Sequence, residues 1–113
     1  MTTVTRPWGS FRVIETHDSF QIKQLTVFPN SRLSLQSHEF RAEHWFVIQG
    51  KAKVEVDDKI LELLPGESVQ IPTQSRHRVA ALGEIPLIFI EIQTGVSFDE
   101  NDIIRYEDDY ERN

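Results

Sequence analysis

The sequence contains no cysteine, so neither a disulfide framework nor a thiolate metal ligand is available to this protein. No apolar run approaches the roughly 20 residues of a membrane-spanning helix, and the opening residues Met1-Thr2-Thr3 are not typical of a signal peptide. Internal repeats, linkers and low-complexity stretches are also missing. We therefore expect a cytoplasmic protein with no membrane contact, in which any metal ligands are histidines and oxygen donors.

A basic surplus is absent as well, because 12 Lys and Arg residues stand against 18 Asp and Glu residues. Much of the acidic excess lies at the end of the chain, where Asp99 to Arg112 carry a net charge of −5. Without a basic surplus or a basic aromatic stripe, we expect no nucleic-acid partner.

Short alternating segments, each ended by turn residues, dominate the sequence, and none is a convincing amphipathic helix. With 113 residues the chain has the size of one domain. Many short strands predict an all-β barrel or sandwich, with one short helical turn around residues 101–106. The predicted strands cover residues 11–14, 20–28, 32–36, 43–49, 52–56, 60–64, 68–71, 77–82 and 85–93.

Four residues in these segments have the chemistry of a metal site. Gln36 and His38 are two positions apart and so point to one face of a strand. Glu43 follows after five positions, which lets the chain bend and return a carboxylate to the same point, and His77 opens a later strand. Two imidazoles with one or two oxygen donors suit one divalent transition metal, with Zn preferred and Mn, Fe, Co or Ni also suitable. The alternative for His38 is a core histidine satisfied by hydrogen bonds.

Positive side chains flank this candidate site along the sequence, at Arg32, Arg41, Arg76 and Arg78. Local positive charge beside a metal suits an anionic small molecule such as a sugar phosphate. The alternative is that these arginines only solubilise the edges of strands. Trp8 and Trp45 are predicted to be core or pocket wall, and His17 to lie at the surface.

The spacing Gln36-x-His38-x4-Glu43-x6-Gly50 resembles the first motif of the cupin superfamily. Cupins are small double-stranded β-helix (jelly-roll) barrels that hold a metal on their inner face. Gln36 replaces the usual first histidine of that motif, and Asn30 replaces its first glycine. The second cupin motif is matched at Gly66, Pro72 and His77, whereas Gln74 and Ala81 replace its second glycine and its asparagine.

A narrower resemblance covers nearly the whole chain, and it is to the type II phosphomannose isomerases. Their cupin is often fused behind a mannose-1-phosphate guanylyltransferase domain. We expect no such domain in these 113 residues. The resemblance implies a single cupin domain over residues 1–113, with a barrel core over about 6–98 and an acidic segment over 99–113. The matching segments are RPWGSF at 6–11, RLSLQ at 32–36, RAEHW at 41–45, IP at 71–72 with HR at 77–78, and DIIRYED at 102–108.

The resemblance implies a reversible interconversion of mannose 6-phosphate and fructose 6-phosphate through a cis-enediol. The implied metal ligands are Gln36, His38, Glu43 and His77. The phosphate is predicted to bind Arg78, with Arg41 or Lys23 in support, and Ser34 is predicted to contact the substrate.

The resemblance also places Arg41 and His44 among the residues needed for activity. On a regular strand His44 would point away from Glu43, so a role as base requires a bulge at that position. The alternative is that His44 orients Arg41 or packs at an interface. Glu39-Phe40 stand where the family commonly carries further histidines, and Glu39 is expected to point to solvent.

Exposed apolar strand faces predict a homodimer, with residues 3–11 as a candidate segment for exchange between subunits. Three functional alternatives remain open beside the isomerase. The first is a non-catalytic sugar-phosphate-binding or regulatory cupin, and the second is a metal-dependent cupin dioxygenase. The third is an isomerase or epimerase that acts on another phosphorylated or nucleotide-linked sugar.

Overall fold

Alternation of buried and exposed side chains runs through most of this chain, which folds as β-strands throughout. The computed structural model describes residues 2–110, which contain eleven strands and no helix, and therefore no helix long and apolar enough to cross a membrane. The strands are β1 (Thr3–Arg6), β2 (Gly9–Thr16), β3 (Phe20–Val27), β4 (Leu35–Ser37), β5 (Arg41–Gln49), β6 (Lys51–Val56), β7 (Lys59–Leu63), β8 (Ser68–Ile71), β9 (His77–Leu82), β10 (Leu87–Gly95) and β11 (Ile104–Glu107).

The strands form two antiparallel sheets that pack face to face around one core, so the all-β prediction is confirmed. One sheet has the order β1-β2-β3-β10-β5-β8 and the other the order β11-β4-β9-β6-β7. The buried apolar side chains between them are Trp8, Phe11, Leu25, Val27, Trp45, Val47, Ala52, Val54, Leu63, Ile71, Val79, Ala81, Leu87 and Phe89.

The inward row of each central strand changes from apolar to polar along its length. On β10 the buried residues are Leu87 and Phe89, followed by Glu91 and Gln93. The registers of β3 and β5 against β10 place their own inward polar residues at the same end, at Gln21, Lys23, Arg41 and Glu43. The barrel therefore has an apolar end, which stabilises the fold, and a polar end, where burial requires hydrogen-bonded partners.

One element differs from prediction at the end of the chain. The helical turn predicted around residues 101–106 is wrong, because residues 104–107 form β11 and pair with β4. This strand is held by a long-range contact that sequence does not report, a 2.9 Å hydrogen bond between the Tyr106 hydroxyl and Ser37 Oγ.

An additional strand, β1, pairs with β2 of the same chain. The exchange of residues 3–11 and the homodimer stay predictions.

Two turns with left-handed backbone conformations lie at opposite ends of the barrel, Gly50 at the apolar end and Gln74 at the polar end. Gly50 ends β5 with a φ of +83°, and a Cβ there would lie 2.8 Å from the carbonyl oxygen of Pro86, so only glycine fits. Gln74 occupies a glycine position of the second cupin motif and still adopts a φ of +69°, at a cost of about 1–2 kcal/mol. Its N–H donates to the carbonyl oxygen of His38 at 2.8 Å. The turn thus keeps its shape and braces the residue that follows β4.

Candidate metal centre

Two histidines and one glutamate converge at the polar end of the barrel. His38 directly follows β4, Glu43 lies near the start of β5, and His77 is the first residue of β9. All three are buried, and one potential ligand atom from each lies within 4.8 Å of the others. Nε2 of His38 is 3.4 Å from Glu43 Oε2, and Nε2 of His77 is 3.7 Å from Glu43 Oε1. We call these residues the metal triad, because two imidazoles and a carboxylate could hold a divalent metal ion.

Both imidazoles are oriented by hydrogen bonds at Nδ1. This atom lies 2.7 Å from the carbonyl oxygen of Asp102 in His38, and 3.0 Å from the carbonyl oxygen of Ser75 in His77. A carbonyl oxygen can only accept, so each neutral ring carries its proton on Nδ1 and donates it. Each Nε2 then presents a lone pair to the triad, which is how carbonyl-backed histidines bind metals.

Burial keeps both histidines neutral near pH 7. Desolvation, followed by the charge of Arg41, lowers the pKa of His38 from 6.5 to about 4. Desolvation also lowers the pKa of His77. Neutral imidazole is the form that binds a metal, so the two histidines are ready to act as ligands without first losing a proton.

Gln36 lines the cavity beside the triad, and its backbone pairs with that of His77. Its Nε2 donates to Ser34, to Oγ at 3.1 Å and to the carbonyl oxygen at 3.4 Å. The amide oxygen is therefore the atom that Gln36 could offer to a metal. Ser34 is buried in the same cavity wall. Metal ligation by Gln36 and substrate contact by Ser34 stay predictions.

The guanidinium of Arg41 contacts two members of the triad. Its Nε donates to Glu43 Oε2 at 3.0 Å, and its Nη2 lies 3.3 Å from Nε2 of His38. Its Nη1 donates to the carbonyl oxygen of Asp99 at 3.3 Å. Because His38 Nε2 has one lone pair, a metal and Arg41 would compete for that atom.

A chain of buried hydrogen bonds backs the triad, and sequence reasoning missed it. Trp45 Nε1 donates to Glu43 Oε1 at 3.1 Å and to Glu91 Oε1 at 3.0 Å. Gln93 donates to Glu91 Oε2 at 2.9 Å and accepts from Gln21 at 2.9 Å. Desolvation, then the neighbouring Glu43 carboxylate, raises the pKa of Glu91 to about 8. The Glu91 carboxyl is therefore largely protonated near pH 7.

Residues 99–110, which we call the C-terminal segment, supply carboxylates to cations of the cavity wall. Lys23, buried on β3, is 2.5 Å from Glu100, and Arg78, buried on β9, is 2.9 Å from Glu107. Arg78 also donates through Nε to the carbonyl oxygen of Leu33 at 3.0 Å. Both cations line the cavity, so a substrate anion would exchange with their carboxylate partners. Substrate binding by Arg78 and Lys23 stays a prediction.

The structure does not bring His44 to the triad. His44 pairs with Ile92 of β10 and Gln70 of β8 in a regular register, with no bulge beside Glu43. It therefore points to the outer face of the sheet and does not line the cavity, so the condition set for its role as base is not met. Glu39 is exposed, as expected from the sequence.

The cavity beside the triad has a volume of about 230 Å³, which leaves room for a small molecule as well as a metal ion. Trp8 and Trp45 contribute to its wall and are also core residues, as predicted. Five cationic side chains line it: Arg6, Lys23, Arg41, Arg78 and Arg105. Three carboxyl groups line it too, those of Glu43, Glu91 and Glu100. The site therefore combines a set of metal donors with a wall in which cationic side chains outnumber acidic ones.

Comparison with solved structures identifies this barrel as a cupin fold. The chain superposes on the cupin domain of Schizosaccharomyces pombe Cnp3 with a TM-score of 0.77 and 10% identity. The match covers 84% of this chain and 69% of that one. At this identity the likeness concerns the fold alone.

Sequence comparison identifies the family. The alginate biosynthesis protein AlgA of Pseudomonas aeruginosa is 50% identical over 109 residues, or 96% of this chain and 23% of that protein. The mannose-1-phosphate guanylyltransferase of Escherichia coli K12 is 43% identical with the same coverage. The chain thus spans about a quarter of these relatives. The family model described as mannose-6-phosphate isomerase C-terminal matches residues 1–108. The chain is a cupin that belongs to the mannose-6-phosphate isomerase C-terminal family.

Proposed function

We propose that this protein is a metal-dependent mannose-6-phosphate isomerase that interconverts mannose 6-phosphate and fructose 6-phosphate through a cis-enediol. The observation that carries the proposal is a metal triad in the wall of a cationic cavity, in a chain of this family. An aldose–ketose isomerase needs an electrophile at the sugar oxygens, a proton carrier between C1 and C2, and a cation for the phosphate.

The metal triad would hold one divalent ion, with the amide oxygen of Gln36 as the candidate fourth donor. Bound there, the ion supplies Lewis-acid stabilisation of negative charge on O1 or O2 of the sugar. Two neutral imidazoles, one carboxylate and a neutral amide would leave the loaded site with a net positive charge, which favours an enediolate. The donor set favours Zn, with Mn, Fe, Co and Ni as alternatives.

Other side chains of the cavity would bind and orient the sugar. A metal bound to Nε2 of His38 would release Nη2 of Arg41 from that atom. This Nη2 could then donate to an oxygen of the sugar. The carboxyl groups of Glu43, Glu91 and Glu100 line the cavity and are the candidates for the proton carrier. The apolar wall around Trp8 would limit the access of water to the enediol.

A coupled assay of mannose 6-phosphate conversion tests this proposal most simply. Protein stripped by a chelator should be inactive, and Zn, Mn, Co or Ni, added in turn, should show which ions restore turnover. His38→Ala should remove the metal-restored activity. His17→Ala is the matched control, because His17 is exposed and pairs with Glu15 away from the cavity, and it should keep the native rate. A folded protein that turns over with none of these metals would contradict the proposal and favour a non-catalytic sugar-phosphate-binding cupin.

A further inference from the structure

The five cations of the cavity wall differ in how their charge is satisfied. Arg6 donates to the carbonyl oxygen of Thr5 at 3.1 Å and lies over the ring of Phe11. Arg105 has no comparable partner: within residues 2–110, no hydrogen bond or ion pair involves its side chain. The other three cations have carboxylate partners, in the pairs Lys23–Glu100, Arg41–Glu43 and Arg78–Glu107.

Arg105 is only partly buried, but its Nε atom is fully buried. Among the buried side-chain nitrogen and oxygen atoms of the described residues, Nε of Arg105 alone lacks a hydrogen-bond partner. Buried polar groups are nearly always paired, because a lost hydrogen bond to water is otherwise not replaced. Nε is closed off from solvent in this conformation, so a ligand would reach it only after the Arg105 side chain turns into the cavity that it lines. An acceptor that arrives with a ligand would then satisfy this donor.

The register of the second sheet places Arg105 in line with the metal triad. Arg105 on β11 pairs with Gln36 on β4, and Gln36 pairs with His77 on β9. Directly paired residues present their side chains to the same face of a sheet, so all three belong to the inner row, and all line one cavity. Two strand spacings separate the backbones of Arg105 and His77 by about 10 Å. A ligand whose one end reaches the triad could therefore place its other end against Arg105.

We propose that Arg105 is the residue that binds the phosphate of a sugar phosphate in this cavity. The identity of the sugar phosphate rests on the isomerase function proposed above. Nε and one Nη of a guanidinium form a planar fork that matches two oxygens of a phosphate. Arg78 already donates to the carbonyl of Leu33 and to Glu107, whereas binding to Arg105 displaces no carboxylate.

The test is the dissociation constant of mannose 6-phosphate, measured by calorimetry on the full chain loaded with Zn. Arg105→Gln should weaken binding roughly tenfold to a hundredfold, the range of a charge-assisted hydrogen-bonded contact. Arg105→Lys should recover part of the affinity, because it keeps the charge and loses the fork. Arg12→Gln is the matched control, since it removes the same charge from β2 outside this cavity, and it should bind as the native chain does.

Metal affinity separates an anion-binding role from a structural one. Arg105 contacts no member of the metal triad, so Arg105→Gln should keep the native Zn affinity and melting temperature. The inference is overturned if Arg105→Gln binds mannose 6-phosphate as tightly as the native chain. It is also overturned if this variant loses Zn and mannose 6-phosphate together.

Inorganic phosphate distinguishes this inference from the proposed function. If the native chain binds inorganic phosphate and Arg105→Gln does not, Arg105 is an anion-binding residue even if mannose 6-phosphate is not turned over. If turnover occurs and Arg105→Gln leaves KM unchanged, the isomerase stands and the role of Arg105 fails. A native chain that binds neither inorganic phosphate nor mannose 6-phosphate overturns the inference outright.

Discussion

The metal triad and the C-terminal segment form two parts of one cavity wall, but the fold holds them in different ways. Glu43 and His77 lie on β5 and β9, each of which is paired with a strand on both sides. The C-terminal segment has only the edge strand β11, and its other contacts are largely side-chain pairs such as Arg32–Asp109 and Arg78–Glu107. The pairing of β5 and β9 therefore places Glu43 and His77 before any ligand binds. The C-terminal segment, in contrast, is positioned largely by charged side-chain pairs.

The largest expected effect comes from removing a member of the triad. His77→Ala should lower Zn affinity by more than about 100-fold, since losing a residue that only hydrogen-bonds a metal ligand already costs about 10–100-fold. The melting temperature of the metal-free protein should change much less, because β9 stays paired on both sides. Zn titration by calorimetry and thermal unfolding check the two parts. If His77→Ala bound Zn with native affinity, the triad would not be the metal site.

On the triad side, Glu91 should control how stability depends on pH in the metal-free protein. Its pKa is raised from 4.5 to about 8, so the native state keeps a proton that the unfolded chain releases. This contribution is fully present below about pH 4.5 and is lost as pH rises toward 8. The pKa of His38 is lowered to about 4, so this residue makes stability fall as the pH drops, and it does so only below pH 6.5.

The unfolding free energy should therefore fall between pH 6.5 and 8, by at most about 1.4 kcal/mol per pH unit. Glu91→Gln should flatten that slope, whereas Glu62→Gln, on an exposed hairpin strand, should keep it. Urea unfolding at several pH values measures it. An unchanged slope in Glu91→Gln would show that Glu91 does not hold the proton.

The link between the two regions is Asp102, which touches the triad from the C-terminal segment. Its carboxylate accepts from the backbone N–H groups of Glu39 and Phe40 at 2.9 and 3.0 Å, and its carbonyl accepts from His38. Asp102→Ala should loosen this carbonyl and lower Zn affinity about tenfold. Asp58→Ala, in the exposed turn between β6 and β7, is the control for loss of an aspartate. A native Zn affinity in Asp102→Ala would mean that the triad needs no support from the segment.

The smallest effects should come from the charge pairs themselves. Glu107→Gln removes the carboxylate that pairs with the buried Arg78. We expect the unfolding free energy to fall by about 1 kcal/mol, less than for a fully buried pair, because water screens the largely exposed Glu107. Asp109→Asn breaks a pair in which both side chains are about half exposed, and the loss should be smaller still. Denaturant unfolding of both variants measures the difference. Equal losses would show that burial of the arginine does not strengthen the contact.

The triad could be predicted from sequence because its determinants are local. A spacing of two on a strand, a bend and the start of a later strand predicted one site, and the structure brings three of its residues together, His38, Glu43 and His77. Ligation by Gln36 stays a prediction. The C-terminal segment could not be predicted in this way. Its contacts join residues far apart in sequence, 77 positions in both Lys23–Glu100 and Arg32–Asp109, and its acidic composition alone is typical of a solvated tail.

The buried polar chain behind the triad left a signal that sequence reasoning did not use. Glu91 and Gln93 share the period-2 phase of the fully buried Leu87 and Phe89, so the same strand pattern that predicts the core places them inside. A buried carboxyl and amide require partners, which points to a polar site nearby. For His44 the alternation indicated the outer face, and the regular register of β5 places it there. The role in activity that the resemblance implies for His44 stays a prediction.

The most direct test of the metal triad is a crystal structure of the Zn-loaded protein with anomalous scattering at the metal edge. We expect one strong peak, about 2.0–2.2 Å from Nε2 of His38, Nε2 of His77 and a carboxylate oxygen of Glu43. The hydrogen bond from Arg41 to His38 should then be lost. A peak elsewhere in the molecule, or one without both imidazole nitrogens as ligands, would contradict the account.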